Sequence, residues 1–494
     1  MSSSETIESH ELFHEIFGSV LDREGLTPYL LRNCGDYDTA LRKATLMMGN
    51  RGFSVVDGEL GEGEKERASS YVRQSVKYMM GSLFSSLSVQ LAELTMIGSP
   101  QGTIYEKALG DIRSLQELLS GSTFAELIDE DPRHLFLLAS SAKYPHFFKG
   151  HPRDPGRIPP RWRLVACSVL KMCHLIKAIE EDSQDVYDYA RLGLFFESSG
   201  ISLSGLFDFP WDETDSVPDD ENARRAFVKL SAFFRKLHDS ISVDGEKGTL
   251  VFNSGDGVQV DIVEVKARLK SPESMFAKLG KDASEEAYDI RDILAVTFLL
   301  KSRDDSLTLF HALQKQGVIL QENTASASIT QTLFDTSSDM HRAVGSLMRS
   351  LARREGIEAE PDEQEIRKNA EAFFASLNTN AALNPHSSGQ HRKFQCKINF
   401  SVPVHLDRET GKVLLRGMSD TSARQYTRQH TLPVELRISD VQSWERSELK
   451  GEAHHSAYKC RQSLVLMNRL FTPLFSFPAV AFAQLRKDQD TLFA

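Results

Sequence analysis

Residues 249–270 read TLVFNSGDGVQVDIVEVKARLK. Two alternating stretches flank Asn253-Ser-Gly-Asp-Gly257, a turn composition, so the segment reads as strand, turn, strand. The phase of the alternation changes part-way: Val258, Val260 and Ile262 give way to Val263, Val265, Ala267 and Leu269. One extra residue near 262–263, a β-bulge, produces such a shift. It leaves Glu264, Lys266, Arg268 and Lys270 together on the opposite, polar face.

Working outward, residues 293–300 (ILAVTFLL) form a continuous apolar run suited to a central strand covered on both faces. Residues 391–404 (HRKFQCKINFSVPV) alternate, with Phe394, Cys396, Ile398, Phe400, Val402 and Val404 on one face. In 431–438 (TLPVELRI), Leu432, Val434, Leu436 and Ile438 point inward, and Glu435 and Arg437 outward. Region 320–388 carries charged helical runs and reads as an insertion or lid. The first 245 or so residues read as helical, with apolar residues at helical spacing in 66–98 and 105–120. The clearest helix spans 161–183, started by Pro159-Pro160. The expected architecture is α+β: a helical region over 1–245, a mixed-sheet domain over 246–475 with a helical insertion, and a C-terminal tail over 476–494.

The chain has 494 residues, 40% of them hydrophobic and 26% charged, which is a globular composition too long for one ordinary core. A net charge of −11 argues against broad, non-specific binding to nucleic acid or anionic membrane. Five scattered cysteines without a CxxC pair fit reduced thiols and provide no zinc site. No apolar signal segment is evident near the start, and no run reaches the roughly 18 apolar residues of a membrane span. The expected location is the cytoplasm, with no membrane partner.

Chemistry concentrates at the end of the strand closing 249–270. Arg268 and Lys270 precede Ser271-Pro272, a helix N-cap followed by a proline at the first helical position, and Ser274 and Lys278 lie one turn apart on that helix. Strand-end cations, a helix N-terminus and a lysine together suit a polyphosphate. The same residues also suit a solvated strand end beside a surface helix. Asp292 precedes the buried strand and Glu435 faces away from the apolar side of its own. Two such acids could hold Mg²⁺, or each could be a strand-end surface charge.

Four segments in order resemble the synthetase domain of the RelA/SpoT family, the alarmone synthetases, over about 250–470. Arg268-Leu-Lys270-Ser-Pro-Glu-Ser274-Met-Phe-Ala-Lys278 is similar to that family's Arg-x-Lys-Ser-x-x-Ser-x-x-x-Lys segment. Asp292-Ile-Leu-Ala-Val resembles its metal-aspartate strand, Val434-Glu435-Leu-Arg-Ile its metal-glutamate strand, and His455-Ser-Ala-Tyr458-Lys459 its His-Trp-x-Tyr-Lys ending. The resemblance implies a nucleotidyltransferase-like domain that moves the β,γ-pyrophosphoryl group of ATP to a ribose 3′-hydroxyl. It implies Asp292 and Glu435 as catalytic metal ligands for Mg²⁺, with Glu435 also assisting deprotonation of the attacking hydroxyl. Arg268, Lys270, Ser274 and Lys278 would bind donor phosphates, and His455, Tyr458 and Lys459 would lie on the phosphate side. The family's acceptor-guanine tyrosine corresponds to His391, followed by Arg392.

The chain departs from the family at several places. Thr297 stands where the family has arginine, Glu435-Leu-Arg-Ile-Ser439 where it has Glu-x-Gln-Ile-Arg, and Ser456 where it has tryptophan. GDP or GTP is the default acceptor; an adenosine nucleotide or an RNA 3′ end are the alternatives. The rival reading is a nucleotide-sensing or interaction module that kept the fold and lost turnover. Two further clusters have simpler readings: His238-Asp239 as a helix C-terminus favoured by the macrodipole rather than a metal pair, and His174 as a core histidine. Glu452, His454 and His455 could form a metal cluster, against the phosphate-side role that the resemblance gives His455.

Overall fold

The computed structural model describes residues 36–49, 53–141, 160–181, 229, 232–245, 248–270, 274, 277–278, 280, 294–320, 329–334, 336–377, 392–405 and 427–494. It is a mixed α+β structure in two units. The helical unit comprises Met1–Ile179, Phe276–Ala283 and Lys459–Leu492. The sheet unit comprises Glu180–Met275, Ser284–Tyr458 and Phe493–Ala494.

The helical unit starts with α1 (Tyr37–Gly49) and a short hairpin of β1 (Val55–Val56) and β2 (Glu59–Leu60). Asp57 and Gly58, with φ of 52° and 81°, supply the left-handed pair that a two-residue hairpin turn needs. Helix α2 (Glu64–Tyr78) continues through a π-helical stretch, Met79–Phe84, into α3 (Ser85–Met96). There follow α4 (Gly102–Ser120), α5 (Ser122–Glu130), α6 (His134–Ser141) and α7 (Pro160–Glu181). The expected helices in 66–98 and 105–120 are therefore present, as is that in 161–183 up to Glu181, where the described residues of that stretch end. Buried Arg133 ties several elements together: it pairs with Asp131 (2.7 Å) and donates to Thr45 Oγ1 on α1 (2.8 Å) and to Glu59 on β2 (3.0 Å).

The sheet unit runs β3 (Ile241–Asp244), β4 (Thr249–Asn253), β5 (Gln259–Leu269), β6 (Leu294–Leu300), α8 (Ser306–Lys315), β7 (Thr330–Gln331), α9 (Ser337–Arg354), α10 (Glu363–Ser376), β8 (Phe394–His405), β9 (Thr427–Asp440) and α11 (Val441–Glu448). The strands form one sheet in the order β3-β4-β5-β6-β9-β8-β7, antiparallel throughout except for the parallel pair β6–β9. The β5–β6 register shifts between Ile262 and Glu264, so the bulge read from the change of phase is present. Within the stretch expected to lack sheet, Thr330–Gln331 adds a two-residue edge strand to β8, too short to show any periodicity. Among the described residues the insertion also carries α9 and α10, capped by Thr336 on Asp339 N–H (3.1 Å) and by Asp362 on Glu365 N–H (3.3 Å).

The last helices, α12 (His455–Phe471, from Lys459 onward in the helical unit) and α13 (Phe482–Leu492), return the chain to that unit. The stretch expected as a tail thus includes a helix with Leu485 fully buried. Phe84 packs on Phe471 (5.5 Å between centroids), and Tyr105 stacks on Phe477 (6.2 Å) while donating its hydroxyl to Asp488 (2.6 Å). Among the described residues no helix is long and apolar enough to cross a membrane.

One face of the sheet is apolar: Val296, Phe298, Leu436, Ile438, Phe394, Cys396 and Ile398 are all buried. Helix α8 packs on the sheet, with Phe310 edge-on to Phe394 at 5.1 Å. Every residue of β6 is buried, as its unbroken apolar run requires. Phe298→Ala should therefore lower the unfolding free energy by about 3–5 kcal/mol. Val263, turned out by the bulge and 45% exposed, should tolerate serine within about 0.5 kcal/mol. Urea denaturation of the two variants checks both the register and the bulge.

Candidate functional site

The other face of the sheet is polar, and the register lays its side chains out in rungs. Arg268 on β5, Ala295 on β6, Glu435 on β9 and Lys397 on β8 stand side by side. The next rung is Lys266, Thr297, Arg437 and Gln395. With strands about 4.8 Å apart, four neighbouring strands bring these groups within reach of a single polyphosphate. Helix α11 lies against this face. Its N-cap Asp440 accepts from Ser443 N–H (2.9 Å), Trp444 lies under the Lys266 ammonium (5.3 Å to the ring centroid), and Glu448 is largely buried.

Glu435 is the most enclosed charge here, 2% exposed. Gln395 Nε2 donates to its Oε2 (2.6 Å) and Arg437 Nε donates to its Oε1. A carboxylate buried on a sheet face must be met in this way, since an unpaired one would cost several kcal/mol in lost hydration. Gln395 is itself buried, and its Oε1 has no hydrogen-bond partner among the described residues. On the apolar side, burial pushes the Cys396 thiol up to about 12, with the Glu435 charge adding to the effect, so it is no nucleophile.

Glu448 responds to two opposed influences. Burial raises its carboxyl above the usual range, against the pull of Arg437, Arg268, Lys393 and Lys266. His455 Nδ1 lies 3.6 Å from it, on an exposed side chain. Among the described residues, Lys266, Arg268, Arg437, Lys393 and Lys397 stand around this face with Glu264, Glu435 and Glu448. A chain of net charge −11 therefore concentrates cations on one sheet face.

Of the residues expected from the sequence, Arg268 and Glu435 share this face, and Lys270 follows the strand end. Ser274 is helical and half-buried. Arg392 anchors the approach to β8: its N–H donates to Ser447 Oγ (3.1 Å) and its guanidinium to the Thr332 carbonyl (3.1 Å). Tyr458 closes the first turn of α12 by donating its N–H to the His454 carbonyl (3.0 Å). Lys278 and Lys459 belong to the helical unit. Asp292 and His391 lie outside the described residues, as does the His174 side chain. His238 and Asp239 are both exposed, 3.6 Å apart, and the His454 ring stacks on Phe493 (4.1 Å).

Sequence reasoning left Gln395, Lys397, Trp444 and Glu448 out of the site. Gln395 and Lys397 alternate with Phe394, Cys396 and Ile398, so their face could have been read from that pattern. Trp444 and Glu448 are on α11, whose placement depends on packing. Among the described residues no group of three or more His, Cys, Asp or Glu could hold a metal ion. Both oxygens of Glu435 are already engaged. Mg²⁺ holds ligands at about 2.1 Å and keeps several waters, so it does not fit at Glu435 as that side chain stands. No family model, no curated protein and no solved structure matches this chain.

Because the fold raises the Glu448 carboxyl above its ordinary 4.5, its contribution to stability is complete below 4.5 and is lost as pH rises through the raised value. Glu448→Gln should therefore raise the melting temperature at pH 8 and change it little at pH 4. Thermal melts at the two pH values check the sign.

Proposed function

We propose that the polar face of β5, β6, β9 and β8 binds the phosphate chain of a nucleotide. We further propose that the domain is a nucleotidyltransferase-like, RelA/SpoT-type pyrophosphotransferase with ATP as donor. The supporting observation is the pair of rungs that sets Arg268, Lys266, Lys397 and Arg437 around Glu435 on one face. Transfer of this kind rests mainly on positioning and on neutralising charge on the phosphate oxygens. In the reaction, the 3′-hydroxyl oxygen of the acceptor attacks the β-phosphorus and AMP leaves. The acceptor is GDP or GTP by default, with an adenosine nucleotide or an RNA 3′ end as alternatives. Glu435 accepts the hydroxyl proton once Gln395 or Arg437 yields its place on the carboxylate. The implied Mg²⁺, held by Asp292 with Glu435, enters no step here, given how Glu435 is engaged.

The second reading, a sensing module without turnover, is favoured by one observation: Glu435 is buried with both oxygens taken. The two readings share the donor site and differ in product. Arg268→Ala should weaken ATP by about 1.5–3 kcal/mol under either reading, as for a lost charge-assisted hydrogen bond, and calorimetry measures it. Labelled ATP offered with guanosine, adenosine and RNA acceptors should yield product with wild type and none with Glu435→Gln, with circular dichroism checking that the variant, which loses a buried ion pair, is still folded. Wild type that binds ATP but forms no product with any acceptor leaves the sensing module. Failure of ATP to bind at millimolar concentration would remove both.

A further inference from the structure

We propose that Arg437 is a built-in counter-cation, so that this face takes a nucleoside polyphosphate without a divalent metal. The proposal rests on the polyphosphate reading of the face and changes what neutralises the site. It starts from the geometry of Glu435. An acid on a phosphate-binding face must be neutralised, or it repels the ligand. A divalent cation can do this from solution, or a guanidinium can do it from within the chain. Here Arg437 lies two residues on along β9, on the same face, with its Nε on Glu435 Oε1, while Gln395 Nε2 holds the other oxygen from β8.

Replacing this arrangement with Mg²⁺ meets two obstacles. The ion would have to take an oxygen now held by Arg437 Nε or by Gln395 Nε2. It would also have to bring its remaining waters to a residue that is 2% exposed. A guanidinium needs none of this, because it stays charged at every working pH and its fork suits both carboxylate and phosphate oxygens. Arg437 keeps 14% of its side chain exposed, whereas the Glu435 side chain keeps 3%. The cation is thus the member of the pair that a ligand meets. Lys266, Arg268, Lys393 and Lys397 supply the rest of the positive charge. Lys266 is shared with Glu264 (3.0 Å) and with the Trp444 ring.

The test is calorimetry on the full chain with ATP, and separately with inorganic tripolyphosphate, in EDTA and then in excess Mg²⁺. Wild type should bind both ligands in EDTA within about threefold of its affinity in Mg²⁺. Arg437→Gln should lose about tenfold or more in EDTA, recover most of it in Mg²⁺, and gain a Mn²⁺ site visible by electron paramagnetic resonance that wild type lacks. Arg437→Lys, which keeps the charge should the glutamine variant fail to fold, should still bind in EDTA. Wild-type binding that requires Mg²⁺ would overturn the counter-cation and leave the nucleotide site standing. Arg437→Gln that binds in EDTA as well as wild type does would overturn it equally. No binding of ATP or tripolyphosphate under either condition would overturn the site itself.

Discussion

The parallel pairing of β6 with β9 is the constraint on which the sheet unit rests. Each strand has an antiparallel neighbour on its other side, β5 for β6 and β8 for β9, so this one ladder joins two halves. It sets Ala295 beside Glu435 and Thr297 beside Arg437, and so aligns the cations of β5 with the acid of β9. Side chains alternate with a period of two, so a slip of one residue would turn Glu435 and Arg437 into the apolar layer and bring Leu436 out. Burial of Val434, Leu436 and Ile438 on the other face resists that slip. The bulge at Ile262–Glu264 does the same service for β5, moving its charged residues onto the face that Glu435 occupies.

The polar face carries a cost that the apolar face does not. The carboxylate of Glu435 has left water, and replacing a buried ion pair with well-packed apolar groups is often neutral or stabilising. The buried pair therefore contributes little to stability. Gln395 adds to that cost: its amide donates to Glu435, and its Oε1 meets no partner among the described residues.

Much of this is legible in the sequence, and where it is not, the reason is physical. The strands at 249–270, 293–300, 391–404 and 431–438 are readable because alternation or an unbroken apolar run is a local signal. The bulge is readable because it leaves a change of phase. Two-residue strands such as Thr330–Gln331 and the hairpin at Val55–Leu60 are too short to carry a period. β9 begins at Thr427, four residues before its apolar alternation makes it visible. Arg268 and Glu435 stand out in the sequence as polar positions on strands, but the partner of Glu435 does not. Arg437 reads as just another outward charge until its Nε is seen to donate to the carboxylate. The helix in the supposed tail is short, Phe482–Leu492, and holds few apolar residues from which to read a period.

That last feature bears on the order in which the protein is made. Phe84, Tyr105 and Ser168 are synthesised early, yet Phe471, Phe477, Asp488 and the Leu470 carbonyl that they meet leave the ribosome hundreds of residues later. The first helices therefore emerge with aromatic surfaces whose covering does not yet exist, and they must avoid aggregating while the whole sheet unit is translated. Completion of the helical unit waits on residues 459–492, which makes that segment a checkpoint for the finished molecule. A nascent chain arrested before residue 459 would expose those same aromatic rings to chaperones and proteases.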